Sequence, residues 1–141
     1  MKRGKNIKSS VPHSCVDFTV AVLGAGAAAP TIPANGNFTP TTSTYPLRAN
    51  GVDTVIAIVR SSTGVYVIPF AHQLPNVLFG TAAVLAAGGS PSGNLAADVV
   101  AIDPVARTCT VKVTTITADA LTDIGTSDML VIYLHGQDSE S

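Results

Sequence analysis

Near the middle of the chain, two β-branched runs flank a short Ser/Gly segment. Residues 52–60 (VDTVIAIVR) are followed by Ser61-Ser62-Thr63-Gly64 and then by residues 65–70 (VYVIPF). Valine and isoleucine fit a pleated strand better than a helix, and a tight polar turn between two such runs predicts a β-hairpin. A lone hairpin has nothing to bury its apolar face against, so more sheet must come from elsewhere in the chain. Residues 17–23 (DFTVAVL) read as a strand ended by Gly24, and residues 38–44 as a Thr-rich strand interrupted by Pro40. After a bend at Leu74-Pro75-Asn76, residues 77–87 form an apolar run read as strand, although its alanines also suit a helix. Residues 96–103 and 128–135 are further strands. Residues 107–115 alternate cleanly, with Cys109, Val111 and Val113 on one face and Thr108, Thr110, Lys112 and Thr114 on the other. Glycine- and proline-rich loops at 24–37 and 88–94, a turn at 104–106 and a polar connection at 119–127, with room for one helical turn, separate these elements.

Seven or eight short strands with almost no helical periodicity predict an all-β chain: an antiparallel β-sandwich of jelly-roll or Greek-key type. The expected organisation is a basic N-terminal arm at 1–16, a sandwich domain at 17–136 and a polar tail at 137–141. The 141 residues make one domain. Apolar residues are 46% of the chain and charged residues 12%, about half the ~25% of an ordinary soluble domain. That balance excludes a disordered polyelectrolyte. Within residues 78–87 almost every position is apolar or glycine, which predicts burial on both faces and hence contact with another chain or with the Ala/Pro loop. Burying roughly 400 Å² more would contribute on the order of 10 kcal/mol gross, well above the ~0–1 kcal/mol of a surface ion pair. Composition therefore points to assembly.

Charge is uneven. Lys2, Arg3, Lys5 and Lys8 fall in the first eight residues with no acid among them, while the remainder carries four basic and nine acidic residues, a balance of −5. A short cationic arm precedes a mildly acidic body; such an arm can bind nucleic acid or a membrane surface, or dock on an acidic neighbour, and its plainest reading is a solvated terminus. With a sequence pI of 6.2 the body lacks the basic stripe of a nucleic-acid-binding domain. The basic arm and the apolar run at 20–29 are too far apart, across Pro12, His13 and Asp17, for a signal peptide. The 15-residue run at 18–32, broken by Pro30, is too short to span a bilayer. The expectation is a soluble chain with no signal of its own.

Candidate chemistry is sparse. Residues 20–29 (VAVLGAGAAA) fit a strand followed by GxGxxA, the dinucleotide fingerprint, but Pro30 and Pro33 stop the helix that the pyrophosphate needs, and the first acid after the motif is Asp53. His13, His72 and His135 are scattered. Asp119, Asp123 and Asp128 share one connection, yet their spacing matches no calcium loop. There is no Gly-x-Ser-x-Gly elbow. Arg60 is expected to form an ion pair with an acid such as Asp53 or Asp98. Cys15 and Cys109 are expected to be buried and reduced. No catalytic, cofactor-binding or metal site is expected.

The stretch 48–70, then Leu74-Pro75-Asn76, then the closing TVKVT and MLVIYL strands, resemble small virion proteins of tailed bacteriophages, in which a V…R…G.Y.V.F…LPN hairpin opens a β-sandwich. The resemblance covers roughly residues 48–135; the basic arm and the Ala/Pro loop lie outside it. It implies a head decoration, or cement, protein: a non-enzymatic viral protein that sits, commonly as a homotrimer, on the outer surface of the capsid between major capsid subunits. Under that reading Lys2, Arg3, Lys5 and Lys8 dock on the major capsid protein, and Phe79, Val84 and Leu85 mediate self-association, with no nucleic-acid or membrane partner. Related sandwiches occur in tail and fibre proteins, so the alternative is a receptor- or carbohydrate-binding domain of a tail fibre or tail tip. The shortage of aromatics (5%) weighs against that alternative. A cupin-type enzyme would need clustered His and Glu ligands, and the sole Glu is Glu140.

Overall fold

The computed structural model describes residues 15–34, 40–49, 52–70 and 76–137. It is all-β, with nine strands: β1 (Cys15–Leu23), β2 (Thr44–Ala49), β3 (Val52–Ala57), β4 (Val59–Ser62), β5 (Val65–Pro69), β6 (Asn76–Leu85), β7 (Leu95–Asp103), β8 (Thr108–Thr115) and β9 (Met129–Gln137). Two antiparallel sheets carry the fold, one ordered β1-β9-β6 and the other β4-β5-β8-β7, and β2 with β3 forms a separate two-stranded ribbon. The predicted hairpin is β4–β5, turning at Thr63-Gly64, with a register shift between Arg60 and Ser62.

Both sheets bury one face in a common core. The first contributes Val20, Val22, Val84, Leu130, Ile132 and Leu134; the second contributes Tyr66, Ile68, Ala97, Cys109, Val111 and Val113, with Ile58, Phe70 and Ile124 closing the ends. Most of these positions follow the two-residue period that the sequence announces in β8 and β9. Cys109 is a free thiol inside this core; burial pushes its pKa up to about 12, so it acts as a small hydrophobe.

The structure corrects several expectations. The run at 52–60 is two strands: at Ile58, buried and donating its N–H to Ser43 O at 2.7 Å, the chain leaves the β2–β3 ribbon and enters the second sheet. Of the strand expected at 38–44, residues 38 and 39 lie outside the described residues, 40–43 are not strand, and β2 begins only at Thr44; its Pro46 is tolerated because, among the described residues, β2 pairs on one side. The apolar run at 77–87 is strand, but it is buried on one face: Ala82 and Val84 turn inward while Phe79, Thr81 and Ala83 are exposed. Within the single chain its outward positions hold small or apolar residues that no described residue covers. The 119–127 connection contains no helical turn. Among the described residues no helix is long and apolar enough to cross a membrane.

Candidate functional site

Two polar clusters stand out against this apolar framework. The first is closed on itself. Arg60, on β4, reaches the 116–128 connection, where its Nε donates to Asp123 Oδ1 at 2.9 Å and its Nη2 donates to Oδ2 at 2.7 Å. Asp123 Oδ1 also accepts from Gly64 N at 2.9 Å and from the Tyr66 hydroxyl at 3.1 Å, and that hydroxyl accepts from Ile124 N at 3.0 Å. Hydrogen bonds from Arg60, then Gly64 and Tyr66, hold the Asp123 pKa down to about 2. Burial, reinforced by the neighbouring carboxylate, pushes Tyr66 up to about 12.

Glycine is required where this connection meets the hairpin. Gly64 has φ of +69°, and a Cβ there would lie 2.7 Å from Val113 O and 2.8 Å from Thr122 N. The cluster is a latch: a bidentate Arg–carboxylate pair, with every group donating or accepting locally, that pins an irregular connection to the β4–β5 turn. Of the acids expected to pair with Arg60, Asp98 instead lies opposite Lys112 in the β7–β8 register, and the Asp53 side chain lies outside what the structure describes. Asp128 is occupied by its own turn, accepting from Gly125 N at 2.9 Å. No group of three or more potential metal ligands lies together among the described residues.

The second cluster is open to solvent and is created by strand order. Because β1 and β6 flank β9, outward side chains stand in cross-strand rows. Phe79, His135 and Asp17 form one row; Thr81, Tyr133 and Thr19 the next; Ala83, Val131 and Ala21 the third. In the first row the His135 ring donates from Nδ1 to Asp17 Oδ1 and stacks on Phe79, with centroids 5.2 Å apart at 29°. Tyr133 meets the Phe79 ring at 6.1 Å and 56°. The hydrogen bond from His135 leads the effects that lower the Asp17 pKa, while desolvation, then the Asp17 carboxylate, raises Tyr133. The face therefore runs from aromatic, anionic and hydroxyl groups at one end to bare methyls at the other.

The residues singled out from sequence fall apart spatially. Lys2, Arg3, Lys5, Lys8, His13 and His72 lie outside the described residues. Of the three self-association candidates, Phe79 is 51% exposed and Leu85 is half-buried, but Val84 is 4% exposed inside the core. That corrects its assignment: an inward β6 position has no surface to offer a partner. The GxGxxA segment opens no helix. Leu23 and Thr31 exchange backbone hydrogen bonds at 2.7 and 2.9 Å, folding the loop back on β1, and Gly26 turns at φ of +63°. The cavity beside it, about 270 Å³, is lined by Leu23, Gly24, Ala25, Thr31, Pro40 and Thr126, without a charged group for a phosphate.

Sequence reasoning gave Asp17 no site role, counted Tyr133 only among the few aromatics open to sugar stacking, and treated His135 as isolated. The outward alternation of β1 and β9 marks all three as surface residues; only the β1-β9-β6 order puts them side by side. No known family model, curated protein or solved structure matches the chain.

Proposed function

We propose that this chain is a structural virion protein of the head decoration, or cement, type, binding between major capsid subunits on the capsid's outer surface as a homotrimer. The observation that carries the reading is the apolar margin where β6 and β7 run side by side. Phe79 is 51% and Val100 49% exposed there, about a shallow cavity of about 330 Å³ completed by Gly80, Val99, Ala101 and Ile102. No charged side chain lines it among the described residues. Exposed apolar surface of this kind marks protein contact more often than catalysis.

Strand order supports the Greek-key form of the sandwich over the jelly roll. The order β4-β5-β8-β7 opposite β6-β9-β1 corresponds to the ABED and CFG sheets of a constant-type immunoglobulin sandwich, with the N-terminal strand filling the last position. Cys15 pairs in register with Gln137, so that residues 15 and 137 lie at the same end of the β1-β9-β6 sheet.

Light scattering across a concentration series, combined with co-sedimentation on heads of the phage that encodes the chain, tests this. A trimer that saturates the heads is expected. Val100→Asp should dissociate it, and removal of residues 1–14 should weaken head binding while the fold stays intact. A chain that stays monomeric at every concentration and does not sediment with heads would end the proposal.

A further inference from the structure

The outer face of the β1-β9-β6 sheet suits a second task that the cement reading does not require. Seven aromatics in the whole sequence looked too few for sugar recognition (three Tyr, four Phe). The fold nevertheless gathers Phe79 and Tyr133 at one end of one face, with the His135 ring between Phe79 and Asp17. Asp17, Thr19, Phe79 and Thr81 are exposed, and Tyr133 and His135 half-buried. A pyranose has an apolar face of C–H groups and an equatorial girdle of hydroxyls. Its natural complement is an exposed aromatic ring beside a carboxylate, an imidazole and hydroxyls that accept and donate hydrogen bonds.

This row has that chemistry in a rigid setting. The groups stand on paired strands rather than on loops, and Phe79, His135 and Asp17 are direct cross-strand partners. With His135 Nδ1 engaged by Asp17, the ring's Nε2 is left to hydrogen-bond a sugar hydroxyl. Asp17, the one acid on the face among the described residues, also sets the ligand's charge: a neutral sugar gains a strong acceptor, whereas a uronic or sialic acid would meet a like charge.

We propose that the Phe79–His135–Asp17 row, with Tyr133, Thr19 and Thr81 behind it, is a binding platform for neutral pyranose units of a glycan. This assigns the Phe79 ring to a sugar rather than to a second copy of the chain, and it leaves any oligomer contact to the Val100 side of the β6–β7 margin. It competes with the cement reading for Phe79 alone and leaves Val100 to that reading.

The test is amide and aromatic chemical-shift mapping of the full chain with four probes: neutral tetrasaccharides of glucose, galactose and N-acetylglucosamine, and tetragalacturonate as the acidic control. At least one neutral probe should shift the resonances of residues 17, 19, 79, 81, 133 and 135, and the acidic probe should not. Phe79→Ala should weaken that binding about tenfold or more, the loss of one stacking contact, and Phe79→Tyr should restore it. Shifts elsewhere, binding unchanged in Phe79→Ala, or equal binding of the acidic sugar would overturn the assignment. So would silence with all four probes. Broadening of the same resonances with protein concentration in the absence of sugar would instead make the face a contact between copies, refuting the glycan site while favouring the oligomer.

Discussion

The latch around Asp123 and the row around Asp17 use the same parts, a carboxylate, a basic partner and aromatic rings, to opposite ends. At the latch the carboxylate is surrounded by Arg60, Gly64 N and the Tyr66 hydroxyl, and Tyr66 is 0% exposed. On the sheet face Asp17 is exposed and its rings look outward. The lesson is that placement decides role. A polar group enclosed by its partners contributes to folding, because losing one partner strands the others away from water. The same group on a surface is screened by solvent and is left free to meet a ligand.

The sharpest way to break this contrast is at Tyr66. Tyr66→Ala removes a fully buried ring and two hydrogen bonds and should cost about 3–5 kcal/mol, enough to threaten folding of a domain that is stable by about 5–15 kcal/mol. Tyr66→Phe keeps the ring and isolates the hydroxyl. It should cost about 1–2 kcal/mol, because Ile124 N and Asp123 Oδ1 each lose a partner. Urea unfolding of the two variants separates ring burial from hydrogen bonding; equal losses would show that the latch hydroxyl contributes nothing.

A smaller effect is expected at Asp123. Asp123→Asn should destabilise by about 1–2 kcal/mol at neutral pH and should also flatten the acid limb of the stability curve. The carboxyl is held at about 2 when folded, against about 4 in an unfolded chain. A folded pKa below the unfolded one means that the stabilisation is complete above pH ~4 and is lost as pH falls from there through about 2. With the side chain 20% exposed, solvent screening keeps the amount to about 1–2 kcal/mol. Denaturation midpoints between pH 5 and pH 2 check the sign: the native chain should lose more stability over that window than the Asn variant, and parallel curves would refute the assignment.

The two regions also differ in how far they could be read from sequence. The hairpin, the β8 alternation and β9 are legible because each is local: β-branched residues at period two between turn residues. That Arg60 would form an ion pair was legible too, since a lone cation in a β-rich stretch needs an acid. Its partner was not, because Asp123 lies 63 residues away in an irregular connection whose path depends on the close approach at Gly64. The outer row was the least legible. Asp17 and His135 are 118 residues apart, and nothing in either strand announces that β1 pairs with the last strand. The β6 run misled for a different reason: Ala and Phe at outward positions look like core in one dimension, and only the pleat distinguishes Ala83 from Val84.

Asp17→Asn should change stability least, and that smallness is itself informative. The His135–Asp17 pair bridges β1 and β9 on the open face, where its Coulombic gain is shared with water. β1 is held mainly by its ladder with β9 and by Val20, Val22 and Leu23 in the buried interior. The melting temperature should therefore fall by less than about 3 °C, whereas the His135 ring, released from the carboxylate, should change its ring chemical shifts by NMR. A small thermal effect with a clear change in the His135 ring resonances marks a surface pair whose parts are free for recognition. A thermal loss as large as that of Asp123→Asn would make the row a second latch, and the distinction between the two clusters would fail.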